Sequence, residues 1–342
     1  MRSYARTIIV LALAACLLAL FLRNVDLGRV FADILHARPE WLVLSLSTAF
    51  LNLVIRALRW QFLLEPLGST AFGNVFRATA VGFAATSLLP ARAGEVIRPY
   101  FLARHEQMSA TGAFATIIVE RLLDTITVLI LLASYVFVFG RDVAFTNPVG
   151  FKAVKWAGAS AGAIAFTALI VLFVLAKDPA RLRRTIERLA RVVPSALAGL
   201  LAKVAEKFAI GLAAIRQPSR MLTALAWSFP LWLSICLGIW SVAVAFRLAI
   251  PFTGSFLLLA ILVLGVAVPT PGAVGGFHEA FRIGATVFFG APDSAAVGAA
   301  IVLWLFSIGP SLLLGLLFAA QVGLNLNGIR RLADQADQGR AA

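Results

Sequence analysis

Apolar segments long enough to cross a lipid bilayer recur along the whole chain, at about residues 7–22, 41–55, 113–139, 156–176, 221–246 and 295–320. A hydrocarbon core about 30 Å thick takes roughly 20 such residues in a helix, and within it only structures that satisfy their own backbone hydrogen bonds survive. The composition agrees: 61% of residues are apolar and only 13% charged, where soluble domains carry about 25% charged residues. A water-soluble enzyme and a nucleic-acid reader are thereby excluded, and no nucleic-acid partner is expected. The basic surplus of +14 sits in loops and reads as topology and attraction to anionic lipid. Cys16 and Cys236 both lie in apolar spans and no Cys/His cluster has ligand spacing. Neither a disulfide, a metal site nor a cofactor is expected.

The N-terminus carries Arg2 and Arg6 before an apolar run, and Leu13-Ala14-Ala15-Cys16 mimics a lipoprotein cleavage box. The run continues past Cys16 to Leu22, whereas cleavage belongs at the end of such a run, so Thr7 to Leu22 reads as an uncleaved first span. Two further apolar stretches, about 75–90 and 255–268, are short and end in Pro/Gly-rich sequence. Proline removes a backbone donor and glycine weakens a helix, so neither stretch is expected to cross as one regular helix.

Loop charge sets the orientation. Lys177 to Arg220 holds ten Lys or Arg against Asp178, Glu187 and Glu206, which places this segment in the cytoplasm by the positive-inside rule. Counting outward puts both termini inside, provided that the two Pro/Gly stretches are re-entrant hairpins. An internal repeat points the same way: Trp41 to Pro90 is 49 residues and Met221 to Pro271 is 50, and each proline precedes the next full span by 23 and 24 residues. The expected fold is an all-α polytopic membrane protein with about six full spans plus two re-entrant hairpins in an inverted-topology repeat. Residues 1–330 form a single transmembrane domain, with repeat A at about 41–139, a basic amphipathic segment at 177–220 and repeat B at about 221–320; residues 331–342 read as a disordered tail. The basic segment reads equally as helices on the inner leaflet or as a soluble helical hairpin under the bundle.

Charges at membrane depth cost about 2.5–3.5 kcal/mol each on translocon scales, so they need partners or a purpose. Glu120, Arg121 and Asp124 lie roughly 10–17 Å into their span. Glu120 and Asp124 share a face, and Arg121 reaches Asp124 at i+3; an internally neutralised pair and a functional group with leftover negative charge both stay open. The first hairpin supplies Arg92, Glu95 and Arg98, with Glu95 and Arg98 at helical spacing after Gly94. A helix starting at that glycine, flanked by two arginines, suits an anionic headgroup such as phosphate. The second hairpin supplies His278, Glu279 and Arg282, with His278 able to titrate near neutral pH or to be structural. Arg56, Arg59 and Trp60 end the second span, where snorkelling and an aromatic belt account for them. All eleven charged or ionisable residues are read as substrate-binding candidates; none is assigned as catalytic, and no nucleophile elbow, P-loop or HExxH motif occurs.

Arg56-Ala57-Leu58-Arg59-Trp60, the stretch Leu89-Pro90-Ala91-Arg92-Ala93-Gly94-Glu95-Val96-Ile97-Arg98-Pro99-Tyr100, Glu120-Arg121-Leu122-Leu123-Asp124 and Pro269-Thr270-Pro271-Gly272-Ala273-Val274-Gly275-Gly276-Phe277-His278-Glu279 together resemble the flippase-like membrane family. That family includes the transmembrane domain of lysylphosphatidylglycerol synthases and stand-alone relatives linked to hopanoid and polyprenyl-lipid pathways. The resemblance implies a bacterial or archaeal cytoplasmic-membrane protein that binds or translocates a lipid, with re-entrant helices at its core. The chain has no room for the soluble aminoacyl-transferase domain of the synthases, so lysyl transfer is not implied, and His278 stands where a less ionisable residue is expected.

The leading expectation is therefore a translocase for an anionic, aminoacylated, hopanoid or polyprenyl-phosphate lipid. The alternatives are a membrane-embedded transferase using Glu95, Asp124 or Glu279 as general base, and a non-transporting partner that docks a lipid-biosynthetic enzyme through the 177–220 segment. The expected partner is a membrane lipid; a homo-oligomer and an enzyme partner both stay open.

Overall fold

The computed structural model describes residues 21, 26–89, 93–139, 148–177, 217–268 and 270–321. Among the described residues the chain is helical nearly throughout and forms no strand, as expected where no water is at hand to satisfy the backbone. The helices in order are α1 (Leu27–Leu35), α2 (Pro39–Leu64), α3 (Phe72–Leu88), α4 (Gly94–Glu106), α5 (Ala110–Ser134), α6 (Pro148–Lys177), α7 (Pro218–Ala245), α8 (Gly254–Ala267), α9 (Gly276–Phe289) and α10 (Asp293–Gln321).

Among the described residues four helices are long and apolar enough to span a membrane: α2 with its short extension to Leu67, α5 with a π-helical end to Phe139, α7, and α10. The 156–176 window falls inside the 30 residues of α6. The windows at 7–22, most of the basic segment and the 331–342 tail lie outside the described residues. The two short apolar stretches are helices α3 and α8, 17 and 14 residues long. At 1.5 Å per residue they reach about 26 and 21 Å, short of the hydrocarbon core. Each stops at its Pro/Gly sequence, and α4 or α9 then packs back against it.

Glycine makes both returns possible. A Cβ on Gly94 would overlap the carbonyl oxygen of Gly82, and one on Gly276 would overlap that of Gly265. Gly265 and Gly276 follow Gly82 and Gly94 by 183 and 182 residues, so the two pairs occupy corresponding places. Small residues matter here because lipid offers no hydrophobic drive between helices, and close backbone approach supplies the packing. The same device joins α10 to α3, where Gly315 sits against the Ala80 carbonyl and Ala84.

The two sets of four helices pack alike. The α3–α4, α4–α5, α3–α10 and α2–α10 contacts match α8–α9, α9–α10, α8–α5 and α7–α5 when the sets are exchanged. Between the sets, α2 runs antiparallel to α7: the Arg38 amide donates to Ala245, Ser45 Oγ to Gly238, and Asn52 Nδ2 to Leu231, while Arg220 reaches Glu65 at the far end. The nine-residue α1 is an element that the apolar windows do not reveal. Asp26 caps it by accepting the Gly28 and Arg29 amides, Ile34 packs near Gly298 of α10, and Leu27, Phe31 and Leu35 stay exposed along one face.

Candidate functional site

Helix α2 does not stop where its apolar window ends at residue 55 but continues to Leu64. Arg56, Arg59 and Trp60 are thus carried inside the bundle, Arg59 and Trp60 at 0% exposure. The interfacial snorkelling reading is corrected: these arginines point at carboxylates. Helix α5 brings Glu120, Arg121 and Asp124 to the same place and α4 brings Glu95 and Arg98; Glu120, Asp124 and Arg98 are buried, while Arg121 and Glu95 are about a third exposed.

The contacts divide the arginines into two kinds. Arg59 Nη1 donates to Asp124 Oδ1 at 2.7 Å and to Ser228 Oγ at 2.7 Å, and Arg98 Nη1 donates to Glu120 Oε1 at 3.0 Å. These are distances at which charge-assisted hydrogen bonds are strong. The Arg98 guanidinium also lies 3.8 Å over the Trp60 ring, and Trp60 Nε1 donates to Thr116 Oγ1. Arg56, by contrast, stands 3.5 Å from both Glu120 and Asp124. Arg121 stands 3.5, 3.6 and 3.3 Å from Glu95, Glu120 and Asp124. Two arginines are locked and two are loosely held.

Glu95, although at helical spacing from Arg98, pairs with Arg121. The sign of the surplus charge is corrected. Arg56, Arg59, Arg98 and Arg121 face Glu95, Glu120 and Asp124, four positive against three negative charges, so the excess is positive. Arg59 Nε and Nη2, Arg98 Nε and Nη2, and Arg121 Nε are buried without a hydrogen-bond partner among the described residues, an expensive arrangement at about 1–3 kcal/mol per group.

Beside this cluster lies a cavity of about 410 Å³ between α2, α3, α7, α8 and α10. Its wall is mostly apolar, including Phe83, Leu259, Leu262 and Phe277, and its only charged members among the described residues are Arg56 and Arg121, the two loosely held arginines. Thr86, Ser87 and Leu89 from the end of α3 and Thr270, Gly272 and Ala273 from the end of α8 bring both hairpin tips to the wall. Gly272 sits at φ 59°, in the left-handed region, and its carbonyl accepts from Trp304 Nε1.

The remaining sequence candidates lie elsewhere. Arg92 is outside the described residues. Arg98 and Glu95 stand behind the cavity wall and not on it. Arg282 grips Asp293 through Nε and Nη2 at 2.6 and 2.9 Å, approaches Glu279 at 3.7 Å, and donates to the Phe21 carbonyl. This ties α9 to the start of α10, away from the α2–α4–α5 cluster. His278 is 4% exposed, its ring 5.1 and 5.3 Å from Phe21 and Trp304, and its Nδ1 accepts the Gly275 amide. Among the described residues it packs in an aromatic box without a carboxylate contact and does not line the cavity, which matches the structural one of its two readings. Sequence reasoning missed Ser228 and Trp232 of α7; Trp232 Nε1 donates to Asp124 Oδ1 at 2.9 Å and lines the cavity.

Apolar helices of spanning length around a cavity, with ionised side chains paired at depth, define a polytopic α-helical membrane protein. The chain belongs to the family of lysylphosphatidylglycerol synthase transmembrane regions, whose match runs over residues 7–315, in agreement with the resemblance read from its four motifs. It is similar to a UPF0104 membrane protein of Methanocaldococcus jannaschii, 29% identical over 154 residues, or 44% of each chain. It is also similar to one from Methanothermobacter thermautotrophicus, 29% identical over 119 residues, or 34% of each chain. The matches thus span less than half the length of these curated relatives.

Proposed function

We propose that the protein binds an anionic lipid by its headgroup in the cavity and passes that lipid across the cytoplasmic membrane. One observation carries the reading: the two cluster arginines that are not locked by a carboxylate are the two that line the apolar cavity. A guanidinium held at 3.3–3.6 Å from its carboxylates can shorten its bonds to an arriving phosphate without losing a strong one, and its planar fork suits phosphate oxygens. A volume of about 410 Å³ lies in the range of ligand sites. The name of the matched family, which refers to a phospholipid-modifying synthase, supports a lipid as the ligand.

Transport is supported by the matched packing of the two helix sets and the antiparallel pairing of α2 with α7, the arrangement an inverted repeat produces. In this reading α3–α4 is a hairpin entering from the cytoplasm and α8–α9 one entering from outside, both termini are cytoplasmic, and their tips meet at the cavity. The transferase alternative requires a carboxylate facing the bound headgroup. Among the described residues the wall has none: Glu95, Asp124 and Glu279 do not line it, and Asp124 is held by Arg59 and Trp232.

The test is translocation of fluorescent phosphatidylglycerol in reconstituted vesicles, read by a membrane-impermeant quencher, together with lipid binding. Arg56→Gln and Arg121→Gln should each weaken binding by about ten- to a hundredfold, with Arg104→Gln, an exposed arginine of α4, as control. Equal small losses in all three variants would remove the basis of the assignment.

A further inference from the structure

The cavity wall is rich in hydroxyl groups, and their hydrogen atoms are already engaged. Thr86 and Ser87 donate back to the carbonyls of Gly82 and Phe83 within α3. Ser307 and Ser311 do the same to Leu303 and Ile308 within α10. Across the cavity, Ser45 donates to Gly238 and Ser234 to Leu231. A hydroxyl that donates to a main-chain carbonyl keeps only acceptor capacity. The nitrogen of Asn52 is likewise committed, to Leu231 and Ser234, which leaves its oxygen as an acceptor, and the indole N–H of Trp232 is committed to Asp124.

The cavity therefore has two chemically distinct parts. Arg56 and Arg121 offer donors and positive charge; the other polar side chains of the wall offer acceptors. A ligand that matches both parts carries an anionic group at one point and hydrogen-bond donors a few ångströms away. Two kinds of donor meet that description, an ammonium and a hydroxyl. The wall decides between them, because it contains two guanidiniums and no carboxylate among the described residues. An ammonium held there would find no carboxylate on the wall, and its own lipid's phosphate would already be engaged by two guanidiniums of a cluster in positive excess, so the added charge is disfavoured. A neutral hydroxyl donates to the same acceptors without that cost.

We infer that the cavity selects phosphate headgroups bearing neutral hydroxyls, of polyol or sugar type, and rejects headgroups bearing an ammonium. The inference rests on the proposed lipid-binding function and specifies the headgroup for that site. Arg56 and Arg121 take the phosphate, and Asn52 with the serines and threonines of α3 and α10 accept from the hydroxyls. The selectivity comes from the acceptor wall, the affinity for phosphate from the arginines, so the two are separable by mutation.

The experiment measures retention of three probe lipids by the full chain in phosphatidylcholine nanodiscs, using native mass spectrometry. The probes are phosphatidylglycerol, phosphatidylmethanol, which has the phosphate but no hydroxyl, and lysyl-phosphatidylglycerol, which adds ammonium groups. Phosphatidylglycerol is expected to bind about tenfold more tightly than either of the others, the size of one or two neutral hydrogen bonds. In the Ser87→Ala/Ser311→Ala variant its advantage over phosphatidylmethanol should shrink to within about twofold, while phosphatidylmethanol binding stays as it was. Equal binding of phosphatidylglycerol and phosphatidylmethanol, or tightest binding of the lysyl lipid, overturns the inference and leaves the lipid-binding function standing. Failure of every anionic probe to bind better than phosphatidylcholine, with no effect of Arg56→Gln or Arg121→Gln, overturns both.

Discussion

Replacing Asp124 by asparagine keeps the shape of the side chain and removes one negative charge from the most tightly bonded point of the cluster. In the native protein Asp124 accepts from Arg59 at 2.7 Å and Trp232 at 2.9 Å and stands 3.3 Å from Arg121, with its side chain 6% exposed. The substitution raises the local excess from one positive charge to two and leaves the fully buried Arg59 facing a neutral amide oxygen in place of a carboxylate, with Ser228 as its other close partner. Breaking one side of a buried ion pair costs about 3–5 kcal/mol. The loss of the opposite charge beside a buried guanidinium, with the weakening of both bonds to the amide oxygen, accounts for a cost toward the lower end of that range. The assay is reversible unfolding in mixed micelles, run as a double-mutant cycle with Arg59→Met. If the pair is as intimate as its geometry, the coupling energy should be about 2–3 kcal/mol, and the double variant should be more stable than Asp124→Asn alone. The matching cycle with Arg56→Met, where the contact is 3.5 Å, should give less than about 1 kcal/mol. Equal couplings for the two arginines would refute the division into locked and loosely held side chains.

Three further outcomes follow from the packing. Gly94→Ala should prevent the α3–α4 return and abolish stable expression, because the added Cβ meets the Gly82 carbonyl and Thr86, whereas Gly309→Ala in α10, with open space around it, should be neutral or stabilising by up to about 1 kcal/mol; expression and thermal unfolding in detergent distinguish them. In a background lacking Cys16 and Cys236, a cysteine at the exposed Ser69 should react with an impermeant maleimide from the cytoplasmic side and one at the exposed Ala249 from outside; labelling from one face would end the inverted-repeat reading. Arg282→Lys keeps charge but loses the two-point grip on Asp293, and since Asp293 is half-exposed the loss in unfolding free energy should stay below about 1 kcal/mol, with no change in lipid binding.

What could be read from the sequence was whatever depends on local spacing. The breaks after Leu88 and Ala267 follow from the Pro/Gly content of the next few residues, and the inward face of Glu120 and Asp124 from their separation by one helical turn. The place of Arg59 was misread because an apolar window ends at residue 55, while the helix runs on to Leu64; five more residues carry the chain about 7.5 Å beyond Arg59. The counter-ions of Arg98 and Arg59 lie 22 and 65 residues away, and the α7 partners Ser228 and Trp232 are 169 and 108 residues from theirs. No periodicity encodes such pairings, which are set by how α2, α4, α5 and α7 pack. Helix α1 escaped notice because nine amphipathic residues containing Arg29 and Asp33 make no apolar window.

The likeness of the two helix sets stops at the backbone. With the 182-residue offset set by Gly94 and Gly276, the positions matching Arg56, Arg59, Arg98, Glu120 and Asp124 are Gly238, Ser241, Ala280, Val302 and Phe306. The helix contacts of the two sets match, and the charge cluster has no counterpart at these positions. Rocking of one set against the other, as proposed, would then connect two end states of similar packing whose cavity keeps its arginines on one set of helices only. A headgroup held by those arginines is bound with unequal strength when the cavity faces opposite sides, since the arginines travel with only one half. That inequality shifts how often each state is occupied, by as much as the difference in affinity and no more. It cannot by itself drive net flow, because the same inequality acts on both directions of exchange. Under the proposed function, backbone symmetry would then set the motion and charge asymmetry where the lipid waits, and the direction of transport would be left to the lipid gradient or to an ion that binds the two states differently.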